Sequence, residues 1–183
     1  MQPFPSVSEY EVPAFLADHT SGKTGCIDLN SATTAYSIWI GTNDLGGNTF
    51  LSDEHLPGKT VTDYTDCVFA QIKSLYDHAG ARYFILQNNA PLDLSPLYNS
   101  GTDGRHIYIP DSRYYATKSR DFVGNGTKVE EKIKILVKTT NDIFKYRAMA
   151  TILTEELPGA TIALFDSHSL VSATRMAPSS YSH

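Results

Sequence analysis

The stretch AYSIWIGTNDLGGN, residues 35–48, decides the fold. Its first six residues, Ala35 to Ile40, are rich in aromatic and β-branched types and read as a buried strand. Gly41 ends the strand, and small polar residues follow at once. They stand where open α/β sheets place ligands, beyond the carboxyl end of a strand. Gly41 lets the backbone turn sharply, Asn43 offers a side-chain amide donor and Asp44 an acceptor. Gly46 and Gly47 are expected to keep the exit flexible and to leave room beside it. An amide held at such a place can donate to an oxyanion, and removing one such donor typically costs about 2.7–4 kcal/mol of transition-state stabilisation. The same residues also suit ordinary turn hydrogen bonds, so composition alone leaves both readings open.

Outward from this stretch the pattern alternates. Upstream, Ser6-x-x-Glu9 has capping-box form and Pro13 interrupts any long helix, which gives a short helix or two broken turns over Ser6–Asp18. Thr20 to Thr34 reads as a loop. Downstream, a glycine-rich loop runs to about Lys59, and Thr60 or Thr62 caps a helix. Tyr64, Val68, Ile72, Leu75 and Ala79 form its apolar stripe, and Gly80 stops it. Tyr83 to Leu86 is a second strand, ended by Asn88, Asn89 and Pro91. Leu92 to Gly126 is long, polar and rich in tyrosine, as functional or mobile loops are. Thr127-x-x-Glu130 is a second capping box and opens a long helix whose apolar face is Val129, Ile133, Val137, Phe144, Ala148 and Ile152. Its lysines, Lys132, Lys134, Lys138 and Lys145, belong to a solvated face. Pro158-Gly159 ends it. Thr161 to Phe165 is the third strand, with Asp166-Ser167-His168 behind it, and Leu170 to Tyr181 can start another helix.

Strand, helix, strand, helix, strand at this spacing means βαβ units and a parallel sheet with right-handed crossovers. The class is α/β. At 183 residues the chain is one domain. Apolar residues make up 41%, enough for a core, and no run is long enough to span a membrane. The net charge of −5 and the lack of a basic stripe exclude a nucleic-acid partner of the usual kind. Eleven tyrosines are many for this length. They suit a sugar-facing cleft or an ordinary amphipathic surface and core.

The order Gly41-Thr42-Asn43-Asp44 after a hydrophobic strand resembles the third block, Gly-x-Asn-Asp, of the SGNH (GDSL-type) esterases and acylhydrolases. The segments SIWIGTNDLG, DCVFAQIKSLYDHAGARYFILQNNAPLDLSP and LPGATIALFDSHSL together are similar to fungal secreted acetylesterases of carbohydrate esterase family 16. The similarity runs from about Val7 to Tyr181. The resemblance implies a flavodoxin-like three-layer α/β/α sandwich with five parallel strands, here truncated to about three, so that residues 1–183 form a single partial domain. The two missing strands come first, and the one bearing the nucleophile would lie beside Ala35–Ile40. It also implies a serine esterase that deacetylates carbohydrates without a cofactor. Asn43 would be an oxyanion donor, Gly41 the turn and Asp44 its support.

The chain departs from the family in two places. It contains no Gly-Asp-Ser, and no Asp-x-x-His near the carboxyl end. Three segments imitate them. Phe165-Asp166-Ser167 has phenylalanine where a tight nucleophile turn needs glycine. Asp166-x-His168 is one residue too short. Asp103-Gly104-Arg105-His106 has the right spacing but lies before the long helix. The chain is therefore expected to be an inactive fragment of an esterase. The alternative is a non-catalytic relative that binds a glycan or a protein through the old site.

Other chemistry is weakly marked. The six histidines include no pair at helical spacing, and neither cysteine belongs to a Cys-x-x-Cys, so no metal site is expected. Gly46-Gly47 follows a strand, but no Lys-Ser/Thr or Gly-x-Gly-x-x-Gly accompanies it, so a nucleotide loop is only weakly supported. The family reading places the full protein outside the cell. There Cys26 and Cys67 can pair as a disulfide or remain apart, and Asn125-Gly126-Thr127 is a glycosylation sequon. Met1-Gln2-Pro3-Phe4 is not a signal peptide, which is expected if the upstream part of the protein is missing.

Overall fold

The computed structural model describes residues 6–22, 29–99, 111–124 and 126–176. Cys26, Asn125 and the segment Asp103–His106 lie outside the described residues, so the disulfide, the sequon and that third imitation rest on sequence alone.

At the start, the Ser6 hydroxyl accepts from the Glu9 backbone N–H at 3.0 Å, as the capping pattern requires. A wide π-type turn, Val7–Glu11, runs straight into helix α1, Val12–Thr20. Pro13 falls in the first turn of α1, directly after the helix changes from π to α geometry at Glu11–Val12, so the segment is two short helical pieces.

Strand β1 is Ala35–Ile38, two residues shorter than expected. Trp39 and Ile40 leave the ladder because side chains take over their contacts. The Trp39 indole N–H donates to Asn88 O at 3.2 Å, and Ile40 O accepts from the Tyr64 hydroxyl at 2.8 Å. The polar residues after Gly41 form one helical turn, α2, Thr42–Leu45, rather than a loop.

Helix α3, Val61–Ala79, matches its sequence closely. Asp63 accepts from the Thr60 N–H and hydroxyl, both at 2.9 Å, and Gly80 closes the helix in the left-handed conformation with φ 66°. All five residues of the expected stripe are buried, Ile72 completely. Burying an isoleucine is worth about 1.5–3 kcal/mol. Strand β2 is Tyr83–Gln87.

Leu92–Gly126 is not the single long loop its sequence suggests. It holds a 3₁₀ turn, Leu92–Leu94, and a short helix α4, Lys118–Phe122. Tertiary contacts hold α4: Lys118 is buried, donates to Pro96 O at 2.9 Å, and lies 5.1 Å from the centre of the Phe122 ring. Helix α5, Gly126–Leu153, begins one residue before Thr127. Thr140 and Thr151 join its buried face, while Ile152 is outside it. The Thr140 hydroxyl is satisfied by Leu136 O at 2.8 Å, which lets a threonine sit fully buried. Strand β3, Thr161–Phe165, is as expected, and α6, Ser167–Met176, starts three residues before Leu170.

The sheet order is β1-β2-β3, all parallel, with Ala35 beside Tyr83 and Tyr83 beside Thr161. Side chains alternate between its two faces. Ile38, Phe84 and Leu86 point to the face covered by α3 and α5, which meet through Tyr64, Phe69 and Phe144. On the other face Ala35, Ser37, Tyr83, Thr161, Ala163 and Phe165 are exposed. The described residues thus form an α/β unit whose sheet has helices on one face. A parallel sheet is normally covered on both, and the three-strand unit is consistent with a truncated α/β sandwich. Among the described residues, no strand pairs with the outer edge of β1.

Candidate functional site

That outer edge borders a cleft of about 440 Å³. The cleft runs between β1, the Val7–Glu11 turn and α3, and it reaches the carboxyl end of the sheet at α2. Asn43, Asp44, Trp39, Tyr64, Glu11 and Cys67 line it. Asn43 is exposed, and among the described residues its side-chain amide makes no hydrogen bond. Its backbone is held, since Asn43 O accepts from the Thr49 hydroxyl at 2.7 Å and from Gly46 N at 3.3 Å. The donor is free while its mount is fixed.

A half-buried carboxyl, Asp44, and a buried hydroxyl, Tyr64, stand beside it. Burial raises the Asp44 carboxyl above its usual range, against a smaller opposing effect of its own backbone N–H. Burial also raises the Tyr64 hydroxyl far above its ordinary value, and the nearby Asp44 charge adds to this. Tyr64 therefore stays a neutral donor.

Gly41 is required here. Its φ is 127°, and any side chain on it would run into the Tyr64 hydroxyl and Asn89 Oδ1. Gly46 and Gly47 act differently from the expectation that they keep the exit flexible. Both are buried, and they are small because Tyr98 and Tyr115 pack directly on them. These tyrosines do not line the cleft; they support the turn from behind, and Tyr98 and Tyr115 lie 6.0 Å apart, ring to ring.

The imitation at the end of β3 is spent on structure. Asp166 Oδ1 accepts from Asn88 Nδ2 at 2.8 Å and from Ser169 N at 3.0 Å. Hydrogen bonds from Ser169, then Asn88, hold its carboxyl down to about 2. Ser167 is buried and donates to Gln87 Oε1 at 3.2 Å, and His168 N donates to Asn88 Oδ1 at 2.8 Å. None of the three lines the cleft, so a nucleophile or base at Ser167 or His168 has no geometric support.

No family model matches the chain. The chain is similar to a fungal acetylesterase. That protein, from Hypocrea jecorina, is 33% identical over 180 residues, which make up 97% of this chain and 49% of the acetylesterase. The chain therefore spans about half the length of the curated relative it matches.

Sequence reasoning missed the residues packed around Ile40 and Gly41, just ahead of Asn43. Tyr64 reads as one member of a helical stripe, and Asn89 as a strand terminator. Only their contacts with Ile40 and Gly41 show otherwise. Cys67 is exposed on α3 at the rim of the cleft. No group of three or more His, Cys, Asp or Glu side chains suited to a metal occurs among the described residues. No described helix is long and apolar enough to cross a membrane.

Proposed function

We propose that this chain is the oxyanion-binding portion of a secreted serine esterase of the SGNH (GDSL) type, acting on acetylated carbohydrates. The observation that carries the reading is the Asn43 amide, exposed and unbonded at the carboxyl end of an edge strand. In this reading, polypeptide beyond the 183 residues adds a parallel strand against the outer edge of β1 and brings the serine to the head of the cleft. The serine oxygen attacks the acetyl carbonyl carbon as a base from the same outside polypeptide takes its proton. The carbonyl oxygen becomes an oxyanion, and Asn43 donates to it. The oxyanion then collapses, the sugar alcohol leaves with the proton returned by the base, and water frees the acetate in a second round.

Gly41 supplies the tight turn that aims Asn43, and Asp44 supports that turn from below. The bare sheet face and the twofold length of the acetylesterase support a missing layer of the same protein. Alone, the chain is expected to show little turnover. The secreted setting would let Asn125 carry a glycan and Cys67 meet Cys26.

The test is the flanking gene sequence, followed by purification of the longer protein. The reading expects an upstream Gly-Asp-Ser and release of acetate from an aryl acetate and from acetylated sugars. An upstream sequence without that motif, or an inert longer protein, overturns it. A 183-residue chain that folds alone and binds a glycan in an Asn43-dependent way would favour the non-catalytic alternative.

A further inference from the structure

A single helical turn such as α2 does not hold its own shape, because the first turn fixes many dihedrals for one hydrogen bond. Yet an oxyanion donor must be fixed to within about 0.5 Å to be worth its full effect. The position of Asn43 must therefore be imposed from outside α2. Three observations show where from. The Tyr64 hydroxyl donates to Ile40 O at 2.8 Å, pinning the peptide just ahead of Gly41. Gly41 is lodged against both that hydroxyl and Asn89 Oδ1. Asn89, in turn, is bound to Asn141 on α5. Its backbone N–H and its Nδ2 donate to Asn141 Oδ1 at 2.8 and 3.3 Å, and its backbone O accepts from Asn141 Nδ2 at 3.0 Å. With Nδ2 committed to Asn141, the Asn89 side chain turns its oxygen toward Gly41. The long helix α5 is thus connected to the Asn43 turn through one amide pair and one tyrosine.

We propose that Tyr64 and the Asn89–Asn141 pair are positioning residues for the Asn43 amide. This rests on the reading of Asn43 as an oxyanion donor and extends it to side chains that take no part in the reaction.

The experiment is a double-mutant cycle in the longer protein. Tyr64→Phe removes only the hydroxyl, and Asn141→Asp keeps the shape but sets an oxygen against Asn89 O. Each is expected to lower kcat on an aryl acetate roughly tenfold with KM nearly unchanged, the loss of about one hydrogen bond in the transition state. In an Asn43→Ala background the same changes should have no further effect on kcat, because nothing remains to be positioned. Effects that add in full to that of Asn43→Ala, or kcat unchanged in folded Tyr64→Phe and Asn141→Asp, overturn the proposal. So does loss of soluble protein in both variants, which would make these contacts purely structural. A longer protein that is inert before mutation defeats the esterase reading instead. The positioning claim is then decided by hydrogen exchange, where the Leu45 and Gly46 amides should exchange about tenfold faster in Tyr64→Phe, and unchanged exchange overturns it.

Discussion

The two edge strands of the sheet both end in polar residues, and the two ends use them in opposite ways. After β3, Asp166, Ser167 and the backbone of His168 are all bonded to Gln87 and Asn88 at the end of β2. After β1, the backbone is held from behind by Tyr64 and Thr49, and the Asn43 side chain is left unbonded toward a cleft. The first end closes the sheet; the second offers a donor. Polar groups inside a fold are normally satisfied, so a side chain can serve a substrate only where the fold has left it unspent. Residue type is shared by the two ends, and bonding separates them.

The largest test breaks the β1 end. Gly41→Ala puts a methyl group against Tyr64 and Asn89 at a positive φ. It should cost on the order of 3 kcal/mol in urea denaturation. Next, Asn88→Ala breaks the β3 end by removing a donor to Asp166 and an acceptor for His168 N. A loss of about 1–3 kcal/mol is expected. The Trp39 bond should survive, because it uses the Asn88 backbone oxygen.

A pH series sharpens the contrast. The folded Asp166 carboxyl is held at about 2, below the ordinary aspartate value of 3.8. It therefore adds stability above pH 4, and this is lost as pH falls toward 2. In thermal melts Asp166→Asn should be less stable than the parent at pH 6, with the gap closing between about pH 4 and 2. Asp166 is exposed, so the gap should be about 1 kcal/mol or less. The smallest effect is Ser167→Ala, which loses one bond to Gln87. It should cost about 1 kcal/mol or less and leave any esterase activity of the longer protein unchanged in an aryl acetate assay.

Local signals were legible where one element carried them. The α3 stripe, the Thr60–Asp63 cap and the Gly80 stop need only helical spacing and cap chemistry. The three strands and their parallel order followed from alternation with helices. Features set by distant partners were not legible. β1 stops at Ile38 because of Asn88 and Tyr64, and α4 forms because Lys118 reaches Pro96. Gly46 and Gly47 are small because of Tyr98 and Tyr115, more than fifty residues on. At the site, the turn that requires Gly41 could be picked out from the short stretch itself, as could the amide of Asn43 that is proposed as the donor. Ser167 could be set aside only in part, through the phenylalanine before it, since its burial depends on Gln87.

The proposed function turns on the Asn43 amide, and steady-state kinetics of Asn43→Ala in the longer protein tests it most directly. With an aryl acetate, kcat should fall about 10²–10³-fold while KM stays near the parent value, as for loss of an oxyanion donor. A variant that keeps kcat within about threefold of the parent, well below the loss of a single oxyanion donor, would contradict the account.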